Sequence, residues 1–153
     1  MDLILWRHAE AHDAVDGQLD VDRALTPRGD KQAARMAAWL DRQLPSGARV
    51  LSSPARRCEQ TVKALGRKFK MRSELAPGGN ALELLSVAGW PASRIPVLIV
   101  GHQPTLGQAV SHLLGLQIAD CPVRKGAIWW LRSRERDGVL QTVMVTVQTP
   151  EML

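Results

Sequence analysis

The chain has 153 residues, 45% of them apolar, and carries 20 Lys plus Arg against 15 Asp plus Glu, a net charge of +5. That size and composition suit one globular domain over residues 1–153, with enough apolar side chains for a sizeable core. The basic balance points to anionic partners, a condition that phosphate esters, nucleic acid and an acidic protein face all satisfy.

Leu3 to Trp6 is an unbroken apolar run, as expected of a strand buried on both faces. It is too short for a signal-peptide core or a bilayer span, which predicts a cytoplasmic protein without membrane association. The polar stretch from Ala9 to Ala24 lacks periodicity and reads as a loop. Thr26-Pro27 then supplies an N-cap and a proline suited to the first helical position. Ala33, Met36, Ala37, Leu40 and Leu44 follow at helical spacing until Pro45-Ser46-Gly47 ends the run. Arg49 to Ser52 is a short strand, and Ser53-Pro54 repeats the cap-plus-proline signal for a second helix reaching about Phe69. Gly78-Gly79-Asn80 opens a third helix to about Ala88. Pro96 to Val100 (PVLIV) is the clearest buried strand, and Gly101 to Thr105 turns it into a helix ending near Gly115. Ala127–Leu131 and Val139–Val147 read as two further strands joined by an Asp137-Gly138 turn. Strands alternating with helices, then a hairpin, predict the α/β class. The expected architecture is a three-layer α/β/α sandwich with a mostly parallel central sheet and an antiparallel edge region.

In an open parallel sheet, ligands bind at the carboxyl ends of strands. Three polar groups fall there: Arg7-His8, Ser53 to Arg57, and Gly101-His102. Arginine offers a planar fork of donors matched to phosphate oxygens. Arg57 falls in the first turn of its helix, where backbone N–H groups also favour an anion. A neutral imidazole is a competent nucleophile near pH 7 when an acceptor holds one ring nitrogen protonated. An attacking atom and a cationic cradle are nearly all that phosphoryl transfer requires.

Other chemistries fit less well. Cys58 and Cys121 are distant and outside any CxxC pair, which excludes a disulfide scaffold or zinc ribbon and suits a reducing compartment. A cysteine phosphatase needs Arg six positions after its nucleophile, where Ala64 and Ala127 stand here. No GxxxxGK[ST] phosphate loop is present. His8, Glu10 and His12 could ligate zinc on a continued strand, but the arginines would then lack a role, so no metal or other cofactor is expected. Nucleic-acid binding is not expected either, with one Phe, no Tyr and five scattered Trp to stack on bases. His12 and His112 read as surface or helix-packing residues.

Four segments carry a family resemblance: LWRHAEA at 5–11, LTPRG at 25–29, SPARRCEQT at 53–61 and VGHQP at 100–104. Together they resemble the histidine phosphatase (phosphoglycerate mutase-like) superfamily. The short chain and the RHAEA and SPxxRxEQT forms look most like SixA-type phosphohistidine phosphatases. The resemblance implies that His8 is the catalytic nucleophile, that Arg7 and Arg57 hold phosphate, and that His102 is the pocket's second histidine. It further implies that Arg23 is a phosphate-facing arginine. Arg56 is the rival of Arg57, and the S-P-x-x-R spacing selects Arg57. Ala9 stands where much of the superfamily has Gly, a difference the SixA-type branch tolerates.

The resemblance implies a phosphohydrolase that takes a phosphoryl group from phosphohistidine on a protein through phospho-His8. The partner would be a phosphorelay domain or a phosphotransferase carrier. A small-molecule phosphomonoesterase and a non-catalytic phosphohistidine-binding module are the alternatives. Relatives acting on sugar phosphates place a carboxylic acid to protonate an alkoxide leaving group, a step worth typically 10²–10⁴ in rate. Here Glu10, Glu74 and Glu83 are the candidates, and each reads as a surface or capping carboxylate. Imidazole, titrating near 6.5, leaves as a neutral base and needs no such acid. Oligomeric state is left open.

Overall fold

A computed structural model describes all residues, 1–153. Its strands are β1 (Asp2–Arg7), β2 (Arg49–Ser52), β3 (Lys70–Met71), β4 (Val97–Gly101), β5 (Ile128–Arg136) and β6 (Val139–Gln148). Its helices are α1 (Pro27–Gln43), α2 (Arg56–Lys63), α3 (Ala81–Ala88) and α4 (Thr105–Leu114), with short 3-10 turns at Asp20–Asp22, Ser73–Leu75 and Pro150–Met152. One six-stranded sheet runs in the order β3-β2-β4-β1-β5-β6. Strands β1 to β4 are parallel, and β5 and β6 close one edge antiparallel.

Alternation along β1 explains the layers. Leu3 and Leu5 face one way, into a cluster with Leu84, Leu85 and Ala88 of α3 and Leu106, Ala109 and Val110 of α4. Ile4 and Trp6 face the other way, against Met36, Ala37 and Leu40 of α1 and Cys58 and Val62 of α2. Each sheet face is therefore roofed by two helices, giving the expected α/β/α sandwich. Burial of the whole of β4 follows from its central place, since a strand covered on both faces needs apolar residues at every position.

Three local expectations are corrected. Helix α2 begins at Arg56, capped by Ala55, rather than at the Ser53-Pro54 signal. The Ser53 hydroxyl is engaged elsewhere, 2.7 Å from His102 Nε2. Helix α2 also ends at Lys63 rather than near Phe69, because Gly66 turns the chain at φ +71. Beyond it, Arg67 donates to the Leu44 and Pro45 carbonyls and ties this loop to the end of α1. The chain then enters β3, whose two residues are too few to show any period. Finally, β5 continues past Leu131 to Arg136, because the hairpin extends beyond the core into solvent and its last residues can be charged. Its turn is as expected: Asp137 and Gly138 both have positive φ (53° and 76°), which matches a type I′ hairpin.

Candidate active site

The carboxyl ends of β1, β2 and β4 lie side by side in the sheet, with Arg7 paired to Gly101 and Ser52 to Val100. Chain segments far apart in sequence therefore empty onto one rim. There a cavity of about 220 Å³ is lined by Arg7, His8, Ala11, Arg23, Arg57, Pro77, His102, Gln103 and Lys125. All five residues singled out from the sequence, Arg7, His8, Arg23, Arg57 and His102, are among them. Arg56 points to solvent, whereas Arg57 is only 4% exposed.

His8 is buried, its ring centroid 5.3 Å from that of His102. Its Nδ1 lies 2.7 Å from the Ala9 carbonyl. A carbonyl can only accept, so Nδ1 carries the proton and Nε2 keeps its lone pair. Burial pushes the His8 pKa down to about 3, against the pull of the Ala9 carbonyl, with His102, Arg57 and Arg7 adding repulsion. Burial likewise takes His102 to about 4, assisted by Arg57. Both rings are therefore neutral at pH 7.

Around these rings the charge is cationic. Arg7 donates to the Val123 carbonyl at 2.8 Å, and Arg57 donates to the Asp20 carbonyl at 2.8 Å and to its carboxylate at 3.0 Å. The Nε–H groups of Arg7 and Arg57 are buried without any partner. An unpaired buried cationic donor is costly, and oxyanions are the acceptors that best match an arginine. Burial first, and then the charge of nearby Arg57, depresses the Arg7 pKa below the ordinary arginine range.

The motif residues around His8 hold its loop. Thr61 Oγ1 accepts from the Ala9 N–H at 3.1 Å and donates to the Arg57 carbonyl at 2.7 Å, joining the loop after His8 to α2. Gln60 accepts from the Leu25 N–H at 2.7 Å. Thr26 caps α1 through the Gly29 N–H and donates to the Glu10 carboxylate at 2.7 Å. Glu10 is thus committed to structure, and Glu74 pairs with Arg72. No Asp or Glu lines the cavity. Cys58 touches His102 Nε2 at 3.4 Å, but burial pushes its thiol up to about 12, so it is no nucleophile.

A family model for the histidine phosphatase superfamily (branch 1) matches residues 3–78. The phosphohistidine phosphatase SixA of Escherichia coli is 33% identical over 125 residues, spanning 74% of each chain. This chain belongs to the histidine phosphatase superfamily. A solved protein histidine phosphatase SixA, complexed with tungstate, superposes with a TM-score of 0.75 at 26% identity, covering 98% of this chain and 97% of the other. The fold is shared more widely: a mycobacterial glucosyl-3-phosphoglycerate phosphatase superposes at TM-score 0.67 and 17% identity, covering 95% of this chain and 97% of its own.

Sequence reasoning missed three contributors. Asp20 bridges Arg23 and Arg57, yet it sits in a loop crowded with other aspartates that blur any signal. Ser53 has the sequence signature of a helix cap, which masks its contact with His102. Lys125 reaches the rim from a loop after α4, and nothing local marks it out from the other lysines.

Proposed function

We propose that this histidine phosphatase hydrolyses phosphohistidine on a partner protein, with His8 as the nucleophile. The observation that carries the proposal is a neutral His8, its Nε2 lone pair free, beside two unpartnered arginine Nε–H donors. Nε2 attacks phosphorus, the substrate's N–P bond breaks, and the protonated imidazole of the substrate departs as a neutral base. Water then attacks phospho-His8, releasing orthophosphate and restoring His8. Arg7, Arg23, Arg57 and His102 stabilise the equatorial oxygens through both steps.

The choice of an N–P bond follows from the cavity's composition. An alkoxide leaving group needs a proton, and the carboxylate nearest the cradle, Asp20, cannot supply one. Burial would raise its pKa, but hydrogen bonds from Arg57 and Arg23 outweigh that and hold it below 3.8. The likeness to SixA proteins supports the same substrate class.

The test compares one preparation on a phosphohistidine protein, a sugar phosphate and an aryl phosphate. Preference for the phosphohistidine protein is expected, together with labelled phosphate trapped on wild type and absent from His8→Ala. A strong preference for the sugar phosphate would replace this substrate with a small molecule, and turnover by His8→Ala would remove the nucleophile.

A further inference from the structure

Asp20 lies in the segment between β1 and α1, and its side chain is 56% exposed. Exposed acids usually move freely in water, but this one is held from several sides. Its Oδ1 accepts from Arg23 Nε at 2.9 Å and its Oδ2 from Arg57 at 3.0 Å. Its backbone carbonyl accepts a further Arg57 N–H at 2.8 Å and also closes the 3-10 turn through the Arg23 N–H at 3.2 Å. The turn's stem is separately closed, by the His12 N–H to the Ala24 carbonyl and the Ala11–Leu25 bridge.

We propose that Asp20 is the positioning residue of the phosphate cradle: its carboxylate clamps loop-borne Arg23 to buried Arg57 before substrate arrives. The proposal rests on the phosphate-binding role of these arginines given above. Three guanidinium groups facing one small cavity repel each other. Arg57 is locked in place by burial, and Arg7 is anchored on the Val123 carbonyl. Arg23 is less buried, its side chain 21% exposed, and apart from Asp20 its side chain has the His12 carbonyl as partner. A long side chain at the rim of a loop gains rotamer freedom by swinging into solvent. The Asp20 carboxylate, with the His12 carbonyl at 2.9 Å, is what holds it at the rim.

A carboxylate across two arginines could instead be a decoy that phosphate must displace. The geometry favours the clamp. Asp20 is tied through its backbone as well as its carboxylate, as part of a closed turn. Arg57 spends NH1 and NH2 on Asp20 and keeps its Nε–H, like that of Arg7, unpartnered. Arg57 lines the cavity while bonded to Asp20, so an anion can meet it there with Asp20 in place.

Orthophosphate binding by the full chain, measured by calorimetry, tests this without any assumption about the substrate. The set is wild type, Asp20→Asn, Asp20→Glu, Arg23→Ala and the Asp20→Asn/Arg23→Ala double variant, each checked for folding by circular dichroism. Asp20→Asn is expected to weaken phosphate about tenfold, with Asp20→Glu between it and wild type. In the double variant, Arg23→Ala is expected to cost far less than it does alone, because the clamp has already gone. In turnover, KM rises more than kcat falls. Phosphate binding that is unchanged or tighter in Asp20→Asn overturns the proposal in favour of a decoy, and full additivity of the two substitutions overturns it as well. If Asp20→Asn does not fold, Arg23→Ala decides: wild-type phosphate affinity without Arg23 would overturn the clamp. A wild type that binds no orthophosphate would overturn the cradle and this role with it. One that binds orthophosphate yet spares phosphohistidine would refute only the substrate.

Discussion

Arg56 and Arg57 are neighbours in the chain and part company in space. Helix α2 turns through roughly 100° per residue, which sends Arg56 to solvent and Arg57 under the rim, 4% exposed. Truncating one donor aimed at a transition state commonly costs about 2.7–4 kcal/mol. Arg57→Ala is expected to lose that much in kcat/KM, while Arg56→Ala stays close to wild type under the same assay. The reverse pattern would place the wrong arginine on phosphate. The S-P-x-x-R spacing made this choice legible in the sequence. The tautomer of His8 was not legible, because it depends on where the Ala9 carbonyl turns after β1 ends.

Helix α1 shows why LTPRG has its form. Thr26 caps the helix and donates to Glu10, and its own N–H reaches the Glu10 carbonyl at 3.0 Å. The helix start is thereby drawn onto the loop that follows His8. Gly29 permits that approach, since a Cβ there would run into the Glu10 backbone carbonyl. Backbone cannot yield as a flexible side-chain tip can, and overpacking of this kind typically costs about 1–3 kcal/mol. Gly29→Ala is expected to lose that much in urea denaturation and to lower turnover by shifting the residues beside His8. Gly47→Ala, where a Cβ meets nothing within 4 Å, serves as the control. Equal stability of the two variants would refute the account. The cap and the apolar spacing of α1 were readable in the sequence, but the reason for Gly29 was not, because the atom it avoids is 19 positions earlier in the chain.

For the whole molecule, the neutral histidines couple the site to stability. In the folded protein His8 and His102 titrate at about 3 and about 4, against 6.5 in an unfolded chain. Between those values the unfolded chain binds protons that the folded chain refuses. The stabilisation is complete above pH 6.5 and is lost as pH falls toward 4, at no more than about 1.4 kcal/mol per unit for each histidine. Asp2 and Asp20, with pKa values below the ordinary 3.8, titrate under that window and do not obscure it. The urea midpoint is expected to fall from pH 7 to pH 5, and a His8→Asn/His102→Asn variant should flatten the change. A midpoint at pH 5 equal to that at pH 7 would show that the rings are not buried as neutral groups.

The chain's own pattern determined the β/α order apart from β3, the sandwich layers and the polar residues at three strand ends. Periodicity, caps and turn residues are short-range properties, carried by side chains a few positions apart. Only the tertiary structure decided that Arg57 meets Asp20 across 37 positions and that Arg7 meets Val123 across 116. The same holds for the two unpaired Nε–H donors and for Lys125 at the rim. Such contacts depend on how strands line up in the sheet and how loops return over its edge. No local pattern encodes that, so the sequence could name five residues of the rim and the fold alone could bring them together.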